Sequence, residues 1–324
     1  MLSREHSYSS SSLRVLLLLL LEYRIVAGLQ LPFVASRETT KKDQFTEAVA
    51  TGAGVSRRHV LRTTTAAAAA ATASGGGGGV LLLTLTTAPA PSRALTAQQA
   101  AADYDTYAAS YDALDGGAAA SALGLDEARA ALLQRASGDV LEIGVGTGLN
   151  LGLYDWSRIK SLTCVDISEG MLKECQNKYQ ALLLREQATG GSGRSSTRPP
   201  VHFATADATR ELEARFGQGA FDTAVDTFSL CVMGDQGAAQ CLNQLRAVVR
   251  PGGNILLLEN TRSDNGLLAT YQDFTATGAA ALGGKGCLYN QNVAHMLAQT
   301  AGLRVTQEKS YATGLFRAFI VERI

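Results

Sequence analysis

Four residues of strand character, Val140-Leu141-Glu142-Ile143, run directly into Gly144-Val145-Gly146-Thr147-Gly148. An apolar run that ends in closely spaced glycines restricts the fold strongly. Glycine takes positive φ at no steric cost, so the backbone can turn sharply and approach a ligand, and the helix expected next would offer unpaired N–H groups. The spacing is equally restrictive. A dinucleotide loop needs its third glycine at position 149, and the chain has Leu149 there. Glu142, two residues ahead of the loop, would repel a pyrophosphate and suit a ligand carrying an ammonium or sulfonium group.

Strand and helix patterns alternate around this loop. Strand-like runs lie at 139–144, 161–166, 201–206, 221–227 and 254–259, with helical stretches at 169–184, 209–216 and 237–249. Leu125, Ala128 and Leu132 form one apolar helical stripe within 118–136. Pro251 is expected to stop the last of these helices, with Gly252-Gly253 turning the chain. A helix at 290–301 and two close strands, 303–309 and 315–322, end the sequence. The expectation is an α/β fold: a Rossmann-like, seven-stranded, mostly parallel sheet with helices on both faces and one antiparallel edge strand. Gly190–Pro200 reads as a surface insertion.

Three strand ends carry acids. Glu142 is the first; Asp166 closes Leu162-Thr163-Cys164-Val165-Asp166, near the spacing at which a carboxylate meets a ribose diol. Asp207, in Ala206-Asp207-Ala208, could accept from an exocyclic adenine amine. Strand ends of open α/β sheets converge on one crevice.

Further motifs occur in a set order: Tyr104-Asp105 with Tyr111-Asp112, the Glu142–Gly148 loop, Val165-Asp166-Ile167-Ser168, Asp207-Ala208, Phe221-Asp222 through Leu230, and Arg250-Pro251-Gly252-Gly253. Over roughly residues 103–324 the chain thereby resembles the class I S-adenosylmethionine-dependent methyltransferases, in the methyltransferase type 11, ubiquinone/menaquinone-type branch. The resemblance implies S-adenosyl-L-methionine as cofactor. It assigns Gly144, Gly146, Thr147 and Gly148 to the methionine portion and Asp166 to the ribose. Ile167 and Met171 go to the adenine face, Asp207 and Ala208 to its edge, and Thr227 lies beside the methionine end. Tyr104 and Tyr111, with Tyr107, would cover the cofactor. Met171 also reads as core, the tyrosines as amphipathic packing, and His202 and His295 as structural.

Methyl transfer is mainly a matter of positioning, and a base is needed only where the acceptor must lose a proton. Asp226 is the candidate base, with an inward structural carboxylate as the equal alternative. Acceptor choice is expected in residues 259–287, where Leu267, Leu268, Tyr271 and Phe274 point to a small hydrophobic molecule rather than a nucleic acid or protein tail. Gly278, Gly283, Gly284 and Gly286 would let this segment move as a lid. Leu258-Glu259-Asn260 and Gly286-Cys287 look like a membrane-associated subgroup, hence peripheral membrane association, although Leu288 follows where that subgroup has arginine. A non-catalytic assembly factor that binds the same cofactor is the alternative class. A nicotinamide dehydrogenase is disfavoured by Leu149 and Glu142.

Composition separates a leader from this domain. Residues 1–97 hold ten basic and five acidic side chains, and residues 98–324 nineteen and twenty-four, although the whole chain balances at 29 each. No global field marks a nucleic-acid binder. A short apolar run at Val15–Leu21, a basic polar stretch, and Arg57-Arg58 ahead of an Ala/Gly-rich segment follow in series. Small-residue sites then occur at Ala88-Pro89-Ala90, Ser92-Arg93-Ala94 and Leu95-Thr96-Ala97. The series resembles a plastid address ending in a twin-arginine signal for the thylakoid lumen, with a thylakoid-membrane anchor or a mitochondrial presequence as alternatives. Five cysteines without a C-x-x-C or nearby histidines read as neither a disulfide framework nor a metal site.

Overall fold

The computed structural model describes residues 95–112, 123–188, 198–282 and 286–324. Residues 1–94, most of the expected leader 1–97, lie outside them, as do 113–122, 189–197, which hold most of the expected insertion, and 283–285, with Gly283 and Gly284. In chain order the elements are α1 (Ala97–Tyr107), α2 (Leu125–Leu133), β1 (Gly138–Ile143), β2 (Ile159–Asp166), α3 (Glu169–Ala188), β3 (Val201–Thr205) and α4 (Leu212–Phe216). These are followed by β4 (Phe221–Thr227), α5 (Leu230–Val248), β5 (Val249–Asn260), α6 (Gly266–Leu282), α7 (Val293–Gln299), β6 (Leu303–Tyr311) and β7 (Phe316–Arg323).

The strands form one seven-stranded sheet in the order β3-β2-β1-β4-β5-β7-β6. β1 through β5 are parallel, and β7 runs antiparallel to both β5 and β6, so the closing hairpin supplies the expected antiparallel element at that edge. Alternation along β1 divides the core. Leu141 and Ile143 face α5 and α7, packing with Leu242, Leu245, Val293 and Leu297. Val140 faces α2 and α3, packing with Leu132, Leu133, Leu172 and Cys175. The stripe Leu125, Ala128 and Leu132 is buried as its periodicity predicts. Glu142, alternating with Leu141 and Ile143, enters the α2/α3 side of the core.

The strand order reverses between β1 and β4, which opens a crevice at their carboxyl ends. The amino ends are clamped by a different set. Asp222 accepts from Asp139 N at 2.8 Å and from Arg250 Nε at 2.6 Å, so one carboxylate ties β1, β4 and β5 together. Arg250 holds the Asp222 carboxyl below its usual range. Gly138 is required there, because a Cβ would lie 2.1 Å from Asp222 Oδ2.

Several boundaries differ from the sequence pattern. α5 starts at Leu230 rather than Gly237, because Gly234 (φ 67°) kinks the helix without ending it. It ends at Val248, before Pro251, and Arg250–Gly253 belong to the irregular start of β5. α7 is shorter than expected, since Asn292 caps it by accepting from His295 N at 3.0 Å.

Candidate active site

β1 ends in the glycine loop, and all three loop glycines have positive φ: Gly144 54°, Gly146 57° and Gly148 82°. A Cβ on Gly144 would stand 2.4 Å from Ser229 Cβ, and one on Gly148 would stand 2.8 Å from Cys175 Sγ. No helix follows. Residues 146–153 make successive turns, with Gly148 N donating to Val145 O, Leu151 N to Gly148 O and Leu153 N to Asn150 O.

Glu142 explains those turns. Its buried carboxylate accepts from Asn150 Nδ2 at 2.8 Å and from the Tyr154 hydroxyl at 2.6 Å, so two side chains of the turn segment are anchored to the strand before the loop. Burial pushes the Glu142 carboxyl up to about 7, against the pull of those two hydrogen bonds. Asn150 Nδ2 also donates to Thr227 Oγ1 at 3.1 Å, while its own Oδ1 is buried without a partner.

Asp166 closes the loop from the β2 side. It accepts from Gly146 N at 2.8 Å and Ser168 N at 2.9 Å, and burial raises its pKa against these bonds. Asp207 accepts from Thr209 N at 2.9 Å and Thr209 Oγ1 at 2.6 Å, and pairs with Arg210 Nε at 3.0 Å. Together these strand ends line a cleft of about 380 Å³. Gly144, Asp166, Ile167, Asp207 and Ala208 form one side of its wall. The other side was not visible in the sequence: Val232, Met233, Gln236 and Gly237 from the first turns of α5, and Leu95, Ala97 and Ala100 from the start of α1. A pattern that starts the helix at Gly237 leaves out these turns, because the helix begins at Leu230.

The remaining expected residues take other places. Met171 is fully buried at the start of α3, its N–H donating to Ser168 Oγ at 3.0 Å. Thr147 Oγ1 donates to Asp112, which also pairs with Lys178 at 2.6 Å. Burial raises the Asp112 carboxyl, but the Lys178 and Thr147 bonds outweigh it and leave its pKa lowered. The Tyr104 ring packs at a tilt against Tyr111 (6.2 Å between centroids) and edge-to-face against Tyr107 (6.4 Å), on a segment that packs along α3. Asp105, from the same segment, accepts from Ser168 Oγ at 2.5 Å and Gly170 N at 2.9 Å. The motif Tyr104-Asp105 thus fastens α1 beside the end of β2. None of Tyr104, Tyr111, Thr147 or Met171 is among the residues lining the cleft.

Asp226 is fully buried at the end of β4, with neither carboxylate oxygen in a well-aligned hydrogen bond. Burial pushes it up to about 7, and burial with the Asp226 charge raises its neighbour Glu259 as well. Burial pushes both adjacent acids toward the protonated form, so Asp226 fits the inward structural carboxylate as well as a base. Beside them Phe228 adopts positive φ (64°), a costly conformation for an aromatic residue, and packs on Phe316.

The segment 259–287 is fastened by a residue that periodicity does not reveal. Gln272 of α6 is fully buried; it accepts from Ser263 N at 2.8 Å and donates to Thr261 O and Tyr289 O, each at 2.9 Å. Leu268 is buried and Tyr271 packs inward with it, whereas Leu267 (85 % exposed) and Phe274 (79 %) point outward.

The loop and strand ends fit a cofactor with an adenosine end and a cationic amino-acid end. The loop backbone is free of Cβ atoms at three positions, Asn150 Oδ1 in the turns after it is a buried acceptor without a partner, and Asp166 and Asp207 border an otherwise mostly apolar cleft. Comparison with known proteins agrees. A family model described as a methyltransferase domain matches residues 140–253. The mitochondrial methyltransferase OMS1 of Saccharomyces cerevisiae is 28% identical over 200 residues, 61% of this chain and 41% of that protein. A phosphatidylethanolamine N-methyltransferase of Cereibacter sphaeroides is 31% identical over 143 residues, 44% of this chain and 61% of that protein. This chain therefore matches about two fifths to three fifths of the length of these curated relatives. Among solved structures, the 4+2 cyclase SpnF superposes with a TM-score of 0.51 at 17% identity, covering 71% of this chain and 97% of that one, which bears on the fold alone.

Proposed function

We propose that this chain is a class I S-adenosylmethionine-dependent methyltransferase that transfers a methyl group to a small apolar acceptor presented along α6. When bound, S-adenosyl-L-methionine supplies an electrophilic methyl group. Gly144–Gly148, Asn150 and Thr227 would hold its methionine end, Asp166 its ribose, and Ile167, Asp207 and Ala208 its adenine. The observation that carries the acceptor reading is the outward apolar pair Leu267 and Phe274, at i and i+7 on the helix that follows β5. The phosphatidylethanolamine named for one relative is an amphipathic lipid whose acyl chains give it the apolar surface that such a pair would contact. The same pair would seat the protein on a lipid surface from which such an acceptor comes.

Asp226 and Glu259 stay inside, so the chain's contribution to transfer is placement of the acceptor rather than an exposed base. The leader composition supports a plastid address, at the thylakoid lumen or membrane. The mitochondrial location of the yeast relative supports the alternative organelle. The test combines calorimetry and turnover. The full chain should bind S-adenosylhomocysteine and not NAD, and should methylate members of an apolar acceptor panel, lipids included. NAD binding without response to the sulfur ligand would overturn the cofactor assignment, and turnover confined to polar acceptors would overturn the α6 reading.

A further inference from the structure

Four of the five cysteines, scattered in sequence, come together in two pairs. Cys164 of β2 meets Cys175 of α3, and Cys231 in the first turn of α5 meets Cys287 beyond the end of α6. All are free thiols. The second pair has three features that the first lacks. Asn260 Nδ2 lies between its sulfurs, 3.6 Å from Cys231 Sγ and 3.4 Å from Cys287 Sγ. The backbones are already joined, since Leu288 N donates to Cys231 O at 2.9 Å. Cys287 is partly exposed, whereas Cys164, Cys175 and Cys241 have no accessible surface. A disulfide demands closely spaced backbones and converging Cβ atoms. Here the backbones stand one hydrogen bond apart beside the pair, and both sulfurs reach the same Asn260 amide.

We propose that Cys231 and Cys287 form a reversible redox pair that cross-links the segment beyond α6 to the amino end of α5. The oxidant is a low-molecular-weight disulfide. The accessible Cys287 sulfur, as thiolate, attacks one sulfur of that disulfide and expels the other as a thiolate, giving a mixed disulfide. Cys231 sulfur, on losing its proton, then attacks Cys287 Sγ and expels the second small thiolate. Two protein thiols become one S–S bond, and their two protons leave on the two released small thiols. Because α5 carries Val232 and Met233 into the cleft, the cross-link couples the acceptor side to the cofactor side. That consequence rests on the reading of α6 given above; the cross-link itself does not.

The experiment equilibrates the full chain with oxidised glutathione under native conditions, alkylates free thiols and maps peptides by mass spectrometry. Cleavage at Arg and Lys leaves Cys231 and Cys241 on one peptide, so a second cleavage at Asp235 separates them. The expected result is a Cys231–Cys287 linked peptide that disappears on reduction, with Cys164, Cys175 and Cys241 alkylated only after unfolding. Oxidation should also raise the thermal unfolding midpoint of the natural chain by several degrees, and leave that of a Cys287→Ser variant unmoved. Absence of the linked peptide at equilibrium, linkage of Cys164 to Cys175 in its place, or an equal midpoint response in Cys287→Ser would each overturn the proposal. None of these readouts requires methyl transfer, so failure of the functional reading would leave them intact.

Discussion

Replacing Glu142 by glutamine should stabilise the protein at alkaline pH and leave it nearly unchanged in acid. The carboxyl is fully buried between Asn150 and Tyr154, and burial moves it from 4.5 to about 7. Between those values the folded chain keeps a proton that the unfolded chain has released. Stability from this group is therefore complete below about pH 4.5 and is lost as pH rises through 7. At about 1.36 kcal/mol per pH unit, a rise of roughly 2.5 units makes the ionised group cost about 3 kcal/mol. Glutamine has the shape of the protonated acid. Its carbonyl can accept from Asn150 Nδ2, and its amide can donate to the Tyr154 hydroxyl, which accepts as readily as it donates. Urea unfolding of both proteins at pH 5 and pH 8 isolates the effect, because groups common to both cancel in the difference. Glu142→Gln should gain on the natural protein by about 2 to 3 kcal/mol between the two pH values. Parallel pH slopes would refute the reasoning and show that Glu142 is ionised in the folded chain at no cost.

Three further outcomes follow from the same geometry. Asp166→Ala should weaken S-adenosylhomocysteine binding by about tenfold to a hundredfold, the worth of a lost charge-assisted bond; an unchanged dissociation constant by calorimetry would remove Asp166 from the ribose. Gln272→Ala strands Ser263 N, Thr261 O and Tyr289 O, and should lower stability by about 2–4 kcal/mol in urea. A loss under about 1 kcal/mol would show that water replaces the amide. The double change Leu267→Ser and Phe274→Ser touches only exposed side chains, so stability should move by no more than about 0.5 kcal/mol, with cofactor affinity intact. Transfer to apolar acceptors should fall, and unimpaired transfer to every acceptor would exclude this face from acceptor binding.

What the sequence made legible was periodic or local. β4 shows its boundaries because its apolar residues and flanking turns are contiguous. The glycine positions were readable because positive φ and close approach leave little choice of side chain. Glu142, Asp166 and Asp207 stood out as acids at strand ends. What stayed hidden depends on contacts between residues remote in sequence. Thr147 sits where a cofactor contact was expected, yet its hydroxyl serves Asp112, a residue 35 positions earlier. Asn150 and Tyr154 lie in successive turns, which have no period, and only the structure shows them bracketing Glu142. Met171 carried two readings, and its complete burial at the start of α3 favours packing.

The motifs themselves do two different jobs at opposite ends of the sheet. Phe221-Asp222 and Arg250-Pro251-Gly252-Gly253 bear on no ligand. Asp222 draws β1, β4 and β5 to a common origin through Asp139 N and Arg250, and both Gly138 and Gly253 lack a Cβ where one would collide with Asp222. Rigid parallel strands carry that register to their far ends, where Ile143 stands opposite Val165 and Asp226. The clamp at the amino ends thereby sets the spacing at which the glycine loop, Asp166 and the first turn of α5 converge. Motif order along the chain reports a fold in which the residues farthest from the cleft determine its geometry, and the residues lining it then determine what can bind.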